Sequence, residues 1–276
     1  MKTKIAGLIL FLYILIISAP CIISACVAFS PDSFLTIPTN HWTLKWFIEF
    51  LSQNRWIDAL LRTILMGLTS TFSALTIGIP LAYAMTRLDV PFKKIIHGVL
   101  LLPLVIPPII LGMGAMPMFY IMRMNGTPLQ IILMHTLLVL PIIYLILKVK
   151  FENMDIQIEE AARGLGATLF QSILLITIPL IKPSIAISGV AAFVISINES
   201  MVAIFIAGPA NETISTISWS QLKHAPTPLI AVASLIHSAI ITIGGISIYL
   251  IMLITNTKNK NNKTQKKKTN KSFVNI

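Results

Sequence analysis

The chain has 276 residues, of which 55% are hydrophobic and only 11% charged. Roughly a quarter of a soluble domain's residues are charged, so a water-soluble globular protein is excluded. The formal net charge of +11 would suit nucleic acid, but seven lysines fall between Lys258 and Lys271, in a Lys/Asn/Thr segment with almost nothing apolar. That composition predicts an unstructured tail beside anionic lipid headgroups, with no nucleic-acid partner.

Six segments are long and apolar enough to cross a bilayer, which takes about 20 residues. They cover 5–29, 59–86, 95–122, 129–147, 183–207 and 229–255. The expected fold is an all-α integral membrane protein with six transmembrane helices. It forms one domain over 1–255, followed by a disordered lysine-rich tail over 256–276.

The first run holds both cysteines, Cys21 and Cys26, which suggest neither a disulfide framework nor a metal site. Ile23-Ser24-Ala25-Cys26 faintly resembles a lipoprotein cleavage box. The run before it exceeds a signal peptide's apolar core, however, so an uncleaved span is expected. After it, Trp42 and Trp46 are four apart, which predicts an interfacial helix anchored by its indoles. Arg62 and Arg87 bracket the second run and read as snorkelling ends.

The third run is crowded with Pro103, Pro107, Pro108 and Pro117, with Gly112 and Gly114 among them. Prolines free backbone carbonyls, which is tolerated where protein or water takes up the lost bonds. This helix is therefore expected to be buried, either lining a path or packing as a kinked element.

A polar insertion separates the fourth and fifth runs. The stretch 154–163 is a good helix former carrying Asp155, Glu159, Glu160 and Arg163. Gly164 and Gly166 can take positive φ and end the helix. Ala161 and Ala162 leave a thin face able to enter a groove.

The fifth run contains a carboxylate, in Ser196-Ile197-Asn198-Glu199-Ser200. An ionisable group there is expensive and should face the bundle interior or a watery cavity. Ser196, Asn198 and Glu199 are thus candidates to line a translocation path, where an anion beside an amide would suit a cationic, amine-bearing solute. The alternative is that they hydrogen-bond neighbouring helices. His97, His135 and His237 have no second ligand at i+4 and are expected to pack, not to bind metal.

Basic residues near span ends set orientation. With the N-terminus cytoplasmic, the inside receives Lys2, Lys4, Arg87, Lys93, Lys94, Lys148, Lys150, Arg163 and the tail lysines. The outside receives only Lys45, Arg55, Arg62, Arg123 and Lys223. Both termini and the polar insertion are therefore expected to be cytoplasmic.

Glu160-Ala161-Ala162, three residues, Gly166, nine residues, then Ile176-Thr177-Ile178-Pro179 resembles the EAA loop of binding-protein-dependent ABC importer permeases. Ile178 stands where leucine is usual. The resemblance runs from about residue 43 to 255. The proline-rich stretch 102–109 and the segment from Ser196 through Met201 to Pro209 and Thr213 are most similar to the spermidine/putrescine branch. The resemblance implies a multi-pass protein of the bacterial inner membrane that carries no catalytic residue and no cofactor. A coupling helix around Glu160, Ala161, Ala162, Arg163 and Gly166 would dock on a separate ABC ATPase. It also implies a second homologous permease subunit, an extracytoplasmic solute-binding protein, and polyamine as the small-molecule solute. Phosphonate, ferric ion, thiamine or an opine are alternative cargoes.

The chain has no G-x-x-x-x-G-K-[ST] phosphate loop, so it could not itself hydrolyse ATP. The lack of H-E-x-x-H or G-x-S-x-G argues against a membrane enzyme. An ion-coupled secondary transporter is the other transport reading, but it usually needs more intramembrane carboxylates than this chain offers.

Overall fold

Lipid offers the backbone no hydrogen-bond partners, so an apolar chain must satisfy its amides internally. This chain does so with helices. The computed structural model describes residues 2–37 and 41–274, with side chains described within 11–254 except at position 14. The side chains of Lys2, Lys4 and the tail lysines thus lie outside the described ones.

In chain order the helices are α1 (Lys2–Ala28), α2 (Lys45–Ser52), α3 (Asn54–Arg87), α4 (Lys93–Val105), α5 (Pro108–Ile121) and α6 (Pro128–Glu152). They continue with α7 (Gln157–Gly164), α8 (Leu169–Ser172), α9 (Ile178–Asn198), α10 (Met201–Ile206), α11 (Ile214–His224) and α12 (Leu229–Val274). Spans of membrane-crossing length and apolarity are Phe11–Ala28, Asn54–Arg87, Pro128–Glu152, Leu169–Asn198 and Leu229–Ile254. α4 and α5 pass the same test only when taken together as one bent pair, which brings the total to six if the pair is a single span.

Two of the expected spans differ from the sequence reading. The third is not one kinked helix: α4 and α5 meet at 105°. Proline pushes the residue before it out of the α region. Ile106 (ψ 127°) and Pro107 (ψ 132°) are accordingly extended, and Pro108 opens α5. The fifth starts earlier, at Leu169, and passes through a π-helical turn at Ile173–Thr177 into α9. It then breaks at Glu199 and Ser200 before α10.

The tryptophan reading is also corrected. Trp42 lies outside α2, whereas Trp46 is 4% exposed and its Nε1 donates to Ser30 O at 2.8 Å. Trp46 is a core side chain and Trp42 is not on its helix. The lysine-rich segment, expected to be unstructured, continues α12 as helix through Val274.

α3, α6 and α9 pack against one another, and α12 packs on α9. Close approach is set by small residues. A Cβ at Gly67 would sit 2.7 Å from Ile197 Cγ2 on α9, and one at Gly78 would sit 2.7 Å from Ile143 Cγ2 on α6. One apolar cluster, with Trp56, Phe50 and Ile217, joins α1, α2, α3, α11 and α12 at one end of the bundle. Another, with Tyr83, Ile143, Leu147 and Ile181, joins α3, α6 and α9 toward the end that carries α7.

Candidate coupling site and translocation path

α7 is short, and local chemistry sets its length. Asp155 Oδ1 accepts the Gln157 N–H at 3.0 Å, an Asx-type turn that leads into the helix. Glu159 and Glu160 lie in the first turn and Arg163 in the last, which places each charge favourably on the helix dipole. At the other end Gly166 N–H donates to Arg163 O at 3.0 Å and Ala167 N–H to Ala162 O at 3.1 Å. This is a Schellman ending, and Gly166 takes the left-handed position at φ +95°. Gly164 stays helical, so of the two candidate glycines only Gly166 supplies positive φ. Thr168 and Gln171 then start α8 with a capping box.

One side of α7 is bolted to α3. Glu159 is 5% exposed. Its Oε2 accepts from Tyr83 Oη at 3.0 Å, and its Oε1 lies 3.8 Å from Arg87 Nε. Arg87 also donates Nη2 to Met154 O at 2.7 Å, holding the turn that leads into α7. Arg87, expected to snorkel, is therefore a buried partner of the insertion. The other side is bare: Glu160, Ala161, Arg163 and Gly166 are exposed, and Ala162 is half-buried. Leu165, next to them, is 91% exposed.

Sequence reasoning selected Glu160 and missed Glu159, Tyr83 and Arg87. Adjacent glutamates on one short helix point to different sides, and nothing local says which faces the bundle.

The candidate path residues divide three ways. Ser196 is buried and its Oγ lies 3.0 Å from His135 Nδ1, linking α9 to α6. Glu199 is half-buried, and its Oε1 accepts the Val202 N–H at 3.0 Å, so it caps the first turn of α10. Asn198 is exposed and lines a cavity of about 370 Å³ between α9, α10, α11 and α12, together with Ser215, Ser218, Trp219, Ser234 and His237. Glu199 does not line that cavity, and no carboxylate does. The structure thus separates the anion and the amide that the sequence placed side by side.

His97 Nδ1 lies 2.9 Å from Tyr144 Oη and joins α4 to α6. Among the described residues no group of three or more His, Cys, Asp or Glu side chains could hold a metal ion.

The family described as "Binding-protein-dependent transport system inner membrane component" matches residues 74–257, from within α3 to within α12 and including α7. The putrescine transport system permease protein PotI of Escherichia coli (strain K12) is 27% identical over 255 residues, covering 88% of this chain and 89% of that protein. The spermidine/putrescine transport system permease protein PotC of the same strain is 23% identical over 243 residues, covering 88% and 90%. Among solved structures, a bacterial alginate ABC transporter in complex with an alginate pentasaccharide-bound periplasmic protein superposes with a TM-score of 0.68 at 17% identity, covering 88% of this chain and 92% of that one.

Proposed function

This chain belongs to the family of binding-protein-dependent transport system inner membrane components, and from that premise we propose that it forms the path for a small cationic solute of the polyamine class. It is a permease subunit of an ABC importer, a multi-span component of the inner membrane and a transport subunit, not a catalyst. In the proposed arrangement both termini and α7 face the cytoplasm. A separate ATPase docks on the bare side of α7, a second homologous permease subunit completes the pore, and an extracytoplasmic binding protein delivers the solute.

One observation carries the coupling role. α7 follows a turn closed by Asp155, ends on the left-handed Gly166, is fixed to α3 through Glu159, Tyr83 and Arg87, and is open on the side of Glu160, Ala161 and Arg163. A push on that open side passes into α3 as a rigid displacement, because the joint is a buried ion pair and hydrogen bonds instead of a flexible loop. Exchange of Glu160 for lysine and of Gly166 for proline tests this. Both proteins should insert, lose uptake and release the ATPase. Co-purification of the ATPase at the normal level with either one removes the coupling role.

The polyamine reading rests on the names of PotI and PotC and on Glu199, with Asn198 and Ser196, at the α9–α10 break. A second reading has its own support. The cavity at Asn198 offers hydroxyls, an indole and an imidazole but no carboxylate, which suits a neutral or hydroxyl-rich solute. Uptake of labelled putrescine by the assembled transporter in vesicles loaded with ATP decides between them. Transport that is absent for putrescine and present for an uncharged polar solute reverses the choice.

A further inference from the structure

We propose that the cavity between α9, α10, α11 and α12 binds an uncharged cyclic polyol of the pyranose type, with Trp219 as its stacking face and His237 as a fixed hydrogen-bond partner. The inference rests on the second reading above, in which this cavity takes a neutral solute, and names what it recognises.

Helical spacing brings the polar groups together. Ser215, Ser218 and Trp219 fall at i, i+3 and i+4 on α11, and Ser234 and His237 at i and i+3 on α12, so each set shares one helix face. Asn198 joins them from the end of α9. The cavity's volume of about 370 Å³ falls within the roughly 300–1,000 Å³ usual for small-molecule sites.

These groups lack partners. His237 Nε2 is buried with no hydrogen bond. Among the described residues, the side chains of Asn198, Ser215 and Ser218 make none either. Ser234 Oγ donates to Ile230 O at 2.8 Å and keeps its capacity to accept. Polar groups inside a helix bundle are ordinarily paired, so this set calls for an occupant that brings hydrogen bonds of its own. Water would answer the polar groups alone. Isoleucine, leucine and methionine side chains make most of the remaining wall, however, and water gains nothing from them.

Charge narrows the ligand further. No charged side chain lines the cavity, so an ion entering it would lose hydration without meeting a counter-ion. A cation is disfavoured twice. Lys223, one turn after Trp219, holds its Nζ 4.7 Å from the indole ring centre, so an ammonium already uses that ring's attraction for positive charge. A pyranose meets these constraints together. Its C–H bonds form apolar faces that stack on indole, and its edge hydroxyls both donate and accept. Neutral imidazole offers one donor and one acceptor, and hydroxyl groups can answer both.

Saturation-transfer NMR on the full-length chain in lipid nanodiscs tests the site, with methyl glucoside and putrescine as probes and no sugar-headed detergent present. The glucoside ring protons should receive saturation, and putrescine should not displace it. His237→Ala should weaken binding about tenfold, and His237→Gln, which keeps a donor and an acceptor, should restore most of it. Trp219→Ala should abolish the signal, whereas Trp219→Phe should retain part of it. Ser218→Ala removes a single half-buried hydroxyl, a change too small to unfold the bundle, and should weaken binding about threefold. Absence of saturation transfer to the glucoside, its displacement by putrescine, or unchanged binding in both His237→Ala and Trp219→Ala overturns the inference. Binding that persists although the assembled transporter takes up no glucoside supports the site and counts only against the second reading of the transported solute.

Discussion

Glu159 and Arg87 are 72 positions apart in the chain, yet their side chains meet at 3.8 Å in a setting where each is at most 10% exposed. Tyr83, one turn before Arg87, donates to the second oxygen of the same carboxylate. Together they make the joint between the α7 insertion and α3. A buried ion pair contributes little against a well-packed apolar replacement, but removing one partner strands the other.

Arg87→Met should therefore destabilise the protein by about 3–5 kcal/mol, since Glu159 would keep a buried charge with one hydrogen bond. Arg87→Met combined with Glu159→Gln should recover most of the loss. Thermal unfolding in detergent measures both. A double variant no more stable than Arg87→Met alone would show that the pair is not the source of the effect.

Gly166 is set by conformation and not by space. No atom lies within 4 Å of a Cβ built there, but φ is +95°. Gly166→Ala should loosen the end of α7 by roughly 1–2 kcal/mol, and Gly164→Ala should be neutral or slightly stabilising because that residue is helical. Hydrogen exchange of the amides at 161–167 should accelerate in the first variant only. Equal protection in both variants would contradict the left-handed ending.

At Glu199 two roles can be separated by chemistry. Glutamine keeps an oxygen that can accept the Val202 N–H but removes the charge, whereas alanine removes both. Glu199→Ala should lower thermal stability by about 1 kcal/mol, the usual scale for a lost cap, and Glu199→Gln should leave it unchanged. If the carboxylate also meets a cationic solute, Glu199→Gln alone should reduce putrescine uptake at least about tenfold, the equivalent of 1.4 kcal/mol. Normal uptake by that variant would confine Glu199 to capping α10.

The contact of α3 with α6 at Gly78 makes a packing prediction. Gly78→Ala drives a methyl to 2.7 Å from Ile143 Cγ2, an atom on a branched carbon that cannot swing away. The overpacking should lower stability by roughly 1–3 kcal/mol, and Ile143→Ala should rescue it. The melting temperatures of the single and double variants give the answer.

Much of this architecture could be read from the chain. Apolar runs locate the membrane crossings, and the spacing from Glu160 to Pro179 identifies the insertion, because both depend on residues close in sequence. What escaped depends on distant neighbours. Pro107 and Pro108 announce a disturbance, but a 105° bend also needs separate supports for α4 and α5. Trp46 has the amphipathic look of an interfacial anchor, yet its indole is buried against the Ser30 carbonyl. Glu159 and Glu160 are indistinguishable until α3 supplies Tyr83 and Arg87. Glu199 looked like a naked intramembrane charge because its partner, the Val202 amide, exists only once α9 breaks.

The bent pair α4 and α5 divides its allegiance. α4 lies against α6, tied by His97 and Tyr144, whereas α5 lies against α10, where Gly112 faces the Val202 backbone. Each half is about 20 Å long at 1.5 Å per residue, too little to traverse the roughly 30 Å hydrocarbon layer upright by itself. A shift of α6 relative to α10 would change the angle at Ile106 and Pro107, where the chain is extended, without unwinding either helix.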